Sequence, residues 1–119
     1  MTAPPPEVQV TRCAGVVPRL VGLIGRPAPE PGAALWLTPC RQVHTAFMRY
    51  PIDVVFLDVR GAVVTVQTLR PWRLSAYVWR AASVLELAAG TAAGLGLAAG
   101  VVPRLIAKDV HASRIGALR

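Results

Sequence analysis

Residues 52–69, IDVVFLDVRGAVVTVQTL, constrain the fold more than any other stretch of the chain. A nearly continuous apolar run from Ile52 to Leu57 meets the turn signal Asp58-Val59-Arg60-Gly61, and a run rich in β-branched residues follows from Ala62 to Leu69. β-Branched side chains suit a pleated surface, and a turn from Asp to Gly reverses the chain tightly. The stretch predicts a β-hairpin.

Shorter strands are expected on either side of it. VQVTR (8–12) puts Val8 and Val10 on one face, ALWL (34–37) ends just ahead of Pro39, and QVHTAFM (42–48) leads to Tyr50-Pro51. Further on, SVLEL (83–87) is the most strand-like part of residues 78–89. VVPRLIA (101–107) reads as a last strand, which Pro103 assigns to a sheet edge. Helical spacing occurs from Gly15 to Gly25, with apolar residues at 16, 17, 20, 21, 23 and 24. Pro18 is tolerated there in the first turn, and Gly25-Arg26-Pro27 stops the helix. RPAPEPGA (26–33) is a stiff connection, and Thr91 is read as the cap of a short helical turn across residues 92–97. The expectation is an α+β domain, mostly β. It is a compact mixed or antiparallel sheet, or a partly open barrel, of six to seven short strands, with one N-terminal helix and one short helical turn. The domain is assigned to residues 8–110, between a disordered proline-rich tail (1–7) and a C-terminal tail (111–119).

The chain has 119 residues, 54% of them hydrophobic, so a core is available without disulfides or a structural metal. The opening MTAPPPEVQV lacks the basic and apolar regions of a secretory signal. The expected compartment is therefore the cytoplasm, with Cys13 and Cys40 as reduced thiols. The longest uncharged run, Leu87 to Pro103, is too short and too rich in Ala and Gly for a membrane span. Thirteen basic residues, of which only Lys108 is a lysine, give a net charge of +7. They are scattered rather than blocked, which suits a solvated basic surface better than a nucleic-acid arm.

Residues 39–58, PCRQVHTAFMRYPIDVVFLD, hold the densest chemistry. Cys40 and His44 share a face in either a helix or a strand, and an imidazole or Arg41 beside a thiol favours the thiolate nucleophile. The pair also offers two zinc ligands. Cys13, Asp53, Asp58 and His111 stand at no diagnostic spacing for more, and no metal is assigned. A small buried thiol beside a histidine hydrogen-bonded in a turn is the favoured reading. In MRYPID (48–53), Pro51 sets a turn at a strand entrance. Asp53 is expected to accept backbone N–H groups across that turn or to pair with Arg49. Were the pair partly buried, removing either partner would cost about 3–5 kcal/mol. The planar fork of Arg49 alternatively suits an anionic ligand group, but the structural role is favoured. Met48, Phe47, Phe56 and Leu57 are assigned to the core. Trp72 in RPWR and Trp79 in YVWR stand beside arginines and offer cation–π contacts or a stacking face for a flat ligand. GTAAGLG (90–96) mimics a dinucleotide-binding loop. That loop must open a long helix, for which too little chain remains before and after Pro103, and no cofactor is assigned.

RLVGLIGR (19–26), LWLTPCRQVHTAFMRYPIDVVFLD (35–58), LRPWRLS (69–75) and SVLELAAGTAAGLGLAAG (83–100) occur in the order seen in a bacterial and archaeal family, domain of unknown function 192. The chain resembles that family from about residue 8 to 106. The resemblance implies a compact β-rich single domain and no established activity. Some members carry a signal peptide, and relatives in GC-rich bacteria are often encoded near pilus-assembly and secretion genes, which implies an accessory role there. The exported branch reads approximately SFWMKNTLIPLDIAFID, with counterparts of Met48, Arg49 (as lysine) and Asp53 but not of Cys40 and His44. A function common to both branches would not run on that thiol and imidazole. Similar sequences carry Gly-Asp before the last strand, where this chain has Gly100-Val101.

The expected function is a ligand- or protein-binding accessory module rather than an enzyme, with Arg49, Asp53, Trp72 and Arg73 as binding residues. A thiol-dependent or metal-assisted enzyme using Cys40 and His44 is the second reading. A basic nucleic-acid-binding domain, with Trp72 and Trp79 as stacking platforms, is the third.

Overall fold

The computed structural model describes residues 4–13, 32–46 and 48–107. The helix expected over 15–25, most of the 26–33 connection, Phe47 and the tail at 111–119 lie outside these residues. Six strands and one helical turn follow in the order β1 (Glu7–Cys13), β2 (Ala33–Leu37), β3 (Ile52–Leu57), β4 (Val63–Leu69), β5 (Ser83–Ala88), α1 (Thr91–Gly94) and β6 (Arg104–Ala107). The strands form one mixed sheet ordered β4-β3-β5-β2-β1-β6. β1 runs parallel to β2 and β6, and the remaining pairs are antiparallel.

The β3–β4 hairpin closes as its residue types dictate. Asp58 Oδ1 accepts the Arg60 and Ala62 N–H groups at 2.8 and 3.0 Å, and Gly61 takes φ +82°, which a side chain would resist. Alternation then sorts the central strands. Ile52, Val54 and Phe56 join Leu35, Leu37 and Val84 on one face, whereas Val55 and Leu57 join Val8, Val10, Leu85 and Leu87 on the other. Both faces are covered. Cys40, Val43, Met48 and Ala81 close the first, and Ala92 and Leu97 close the second. That double cover is why β3 reads as a continuous apolar run, all six of its residues being buried. Full burial of a side chain such as Phe56 contributes about 1.5–3 kcal/mol.

Several expectations need correction. The 42–48 stretch forms no seventh strand; its described part makes a single bridge, His44 to Leu74, because its backbone groups bond to an irregular segment instead of a ladder. Of the two arrangements expected, the mixed sheet is the one found, and it is open. Val63 donates its N–H to Val101 O and accepts from Gly100 N–H, both at 2.8 Å, which ties β4 to the chain entering β6 without a ladder between the two edge strands. Glu7, assigned to a disordered tail, opens β1 opposite Arg104, and Pro6 O accepts the Arg104 N–H at 2.7 Å. Thr91 is the first helical residue rather than the cap, which is Gly90. β6 does lie at an edge, next to Pro103, as that residue's missing N–H requires. Among the described residues no helix is long and apolar enough to cross a membrane.

Candidate functional site

Two irregular segments cover one face of the sheet and run antiparallel to each other. The first is residues 40–46, and the second is residues 72–82, between β4 and β5. Cys40 N–H donates to Ala82 O (3.1 Å), Val78 N–H to Arg41 O (2.9 Å), Ser75 N–H to Val43 O (2.9 Å) and Thr45 N–H to Arg73 O (2.8 Å). The Ser75 hydroxyl is itself used as an acceptor by Val43 N–H at 3.0 Å. Along the second segment the inward residues recur every third position, at Ser75, Val78 and Ala81, with pairs of exposed residues between them. This period matches neither helix nor strand. It turns Leu74, Tyr77 and Trp79 outward while Val78 and Ala81 pack on the core.

Thr45 anchors the ribbon. It is completely buried, and its hydroxyl donates to Arg70 O at 2.6 Å and accepts the Arg73 N–H at 2.8 Å, while its carbonyl accepts the Trp72 N–H at 2.9 Å. These bonds clasp the turn Arg70-Pro71-Trp72-Arg73, in which Trp72 has φ +63°. A non-glycine residue in the left-handed region costs about 1–2 kcal/mol. The turn nevertheless presents an indole that is 60% exposed. Arg73, also exposed, donates Nη1–H to Trp72 O at 3.3 Å.

The candidate residues fall into separate environments. Cys40 is buried in the core with its Sγ donating to Gln42 O at 3.3 Å. His44 is exposed, and its Nδ1 accepts the Ala46 N–H at 3.3 Å within its own turn. Four-residue spacing joins two side chains only in regular structure, and residues 40–46 are irregular. Among the described residues no group of three His, Cys, Asp or Glu side chains is arranged to hold a metal. Arg49 and Asp53 also part. Arg49 is exposed, whereas Asp53 is buried on β3 and accepts the Thr68 hydroxyl (2.7 Å) and the Ala92 N–H (3.0 Å). The carboxylate thus holds the first turn of α1 against the hairpin. That turn is the GTAAGLG stretch whose glycines imitate a nucleotide loop, and a protein carboxylate already takes the Ala92 N–H there. Trp72 and Arg73 adjoin each other, with Arg49 on the loop that follows Thr45.

Sequence reasoning passed over Thr45 and Ser75, because neither differs in type from a surface hydroxyl residue. It also passed over Gln67, whose Oε1 accepts the Ala76 N–H at 3.2 Å. Glu86 had a visible signal, a carboxylate inside the apolar alternation VLEL; it is buried on the face of Val84 and Leu35. A cation–π contact occurs at Trp36, where the Arg12 guanidinium lies 5.9 Å from the ring centroid.

A single mixed sheet with one face roofed by a braced ribbon that turns aromatic side chains outward defines a small β-rich domain. Comparison with known proteins agrees with that architecture, and the chain belongs to the family DUF192, described as "Uncharacterized ACR", which it matches over residues 3–103. It is similar to a UPF0127 protein of Pyrococcus abyssi, 56% identical over 32 residues, or 27% of each chain. A UPF0127 protein of Pyrococcus horikoshii is 46% identical over 44 residues, 37% of this chain and 38% of that one. The matched stretches therefore span well under half of these relatives. Among solved structures, a Sinorhizobium meliloti protein provisionally described as a transcription regulator superposes with a TM-score of 0.64 and 25% identity, over 76% of each chain. A Novosphingobium aromaticivorans protein of unknown function gives 0.66 and 19% identity over 78% of this chain and 71% of that one.

Proposed function

We propose that the domain is a binding module whose contact surface is the outer face of the 72–80 ribbon, with Trp72 and Arg73 at one end and Arg49 on the adjoining loop. The observation that carries this reading is Trp72. Backbone strain persists where surrounding structure enforces it, and such residues cluster at functional sites. Here the buried Thr45 clasp supports a left-handed backbone that presents an exposed indole. Asp53 serves this surface indirectly, by fixing the hairpin and α1 beneath the sheet. The thiol reading has less support, since Cys40 faces the core and His44 faces solvent.

The test is site-specific photo-crosslinking in cells. A photoreactive side chain at Tyr77 is expected to give a discrete adduct, and one at the exposed Ala99, beyond the opposite face, is expected to give none. Equal labelling at both positions, or none at Tyr77, refutes the assignment.

A further inference from the structure

We propose that this ribbon seats on the surface of an anionic phospholipid bilayer, its apolar side chains entering the interfacial layer and its arginines holding lipid phosphates. The inference rests on the reading of the ribbon as a contact surface and names what it contacts.

Three features of the ribbon point to lipid. The first is its apolar content. Leu74 is 67% exposed, Tyr77 60% and Trp79 73%, all within six residues of one segment. Scattered exposed apolar residues are ordinary, but a concentration of them marks an interaction site. Trp and Tyr, with an apolar body and a polar tip, suit the boundary between acyl chains and headgroups. Leu74 has no counterpart in the stacking surfaces and phosphate tracks that bind single-stranded nucleic acid, which need flat rings and cations. A bilayer accepts all three.

The second is charge. Residues 31–52 and 59–85 contain no Asp or Glu, yet they supply the exposed Arg41, Arg49, Arg70, Arg73 and Arg80. The described acidic residues that border these stretches are Asp53 and Glu86, both buried, and Asp58, half-buried in the β3–β4 turn where its carboxylate accepts two backbone N–H groups. The face is therefore cationic and complements phosphate, which the planar guanidinium binds through paired hydrogen bonds.

The third is rigidity. Thr45, Gln42 and Gln67 brace the segment through side-chain hydrogen bonds to its backbone, and the Ser75 hydroxyl ties it to the Val43 N–H. The apolar side chains project from a preformed support, so little ordering opposes docking.

Vesicle flotation with the full chain tests the proposal. The vesicles are pure phosphatidylcholine or a phosphatidylglycerol–phosphatidylcholine mixture, and a labelled oligothymidylate is titrated in parallel. The wild type is expected to float with the anionic vesicles and not with the neutral ones. L74S/W79S should lose flotation. R73S/R80S should weaken it roughly 25-fold, each arginine near an anionic surface counting for about fivefold. All four positions are exposed, and circular dichroism with a thermal melt verifies that each variant is folded. Equal flotation with both lipids refutes the role of the arginines and with it the proposal. No flotation, or binding to oligothymidylate alone, overturns the lipid partner while leaving the contact surface to the crosslinking test. Flotation unchanged in both variants overturns the lipid proposal and removes the ribbon from the contact.

Discussion

Replacing Thr45 by valine deletes one buried hydroxyl while keeping the shape of the side chain. In a core where only burial mattered, such a change would be neutral or stabilising. Here the hydroxyl holds Arg70 O at 2.6 Å and the Arg73 N–H at 2.8 Å, both partly buried bonds, and valine leaves both groups without that partner. An unsatisfied buried backbone group costs about 1–3 kcal/mol. Since Arg70 and Arg73 are exposed residues that water can partly reach, the low end applies to each, about 2 kcal/mol in all. For a domain of this size that lowers Tm by roughly 8 °C. Thr45→Ser keeps the hydroxyl and loses one buried methyl, about 0.8 kcal/mol, so serine should melt above valine. Urea and thermal unfolding give the magnitudes, and amide exchange at residues 70–74 gives the location, with the Trp72 and Arg73 amides exchanging faster in the valine variant. If Thr45→Val melts within about 1 °C of wild type with unchanged exchange, the clasp is not what holds the strained turn. The proposed function would then lose its carrying observation.

Other perturbations separate the remaining contacts. Asp53→Ala should cost about 3 kcal/mol in urea unfolding, because it strips the acceptor from the buried Ala92 N–H and from Thr68; Asp53→Asn, retaining one acceptor oxygen, should cost roughly half as much. Equal losses would show that charge rather than hydrogen bonding matters there. Cys40, buried against Leu35 and Leu37, should alkylate far more slowly in the native protein than in urea, as peptide mass mapping reads directly; rapid native labelling would reopen the thiol chemistry. The Arg104–Glu7 pair, 2.9 Å apart but more than half exposed on both sides, should show a double-mutant coupling below about 1 kcal/mol that fades with added salt. A larger, salt-insensitive coupling would mean that β6 docks through that pair instead of its backbone.

What could be read from residue order alone was local. The hairpin at 52–69 is legible because its turn, its β-branched strand and its apolar strand are contiguous, and each residue type has one favourable place there. Pro103 likewise announces an edge by lacking an N–H. The site was half legible, since arginines beside Trp72 and Trp79 are visible in the string.

Tertiary structure decided everything that depends on distant pairing. No local rule brings β1 parallel to both β2 and β6, or sends the Asp53 carboxylate to an N–H 39 residues away. The separation of Cys40 from His44, and of Arg49 from Asp53, follows from the same cause. Spacing predicts a common face only where the backbone repeats, and residues 40–46 take their path from hydrogen bonds to the 72–82 segment. That segment in turn has a three-residue inward period because it must satisfy its polar groups against an irregular neighbour while placing Val78 and Ala81 on the core. Its leftover side chains, Leu74, Tyr77 and Trp79, are outward for that reason, and the proposed contact surface exists only once the two segments are paired.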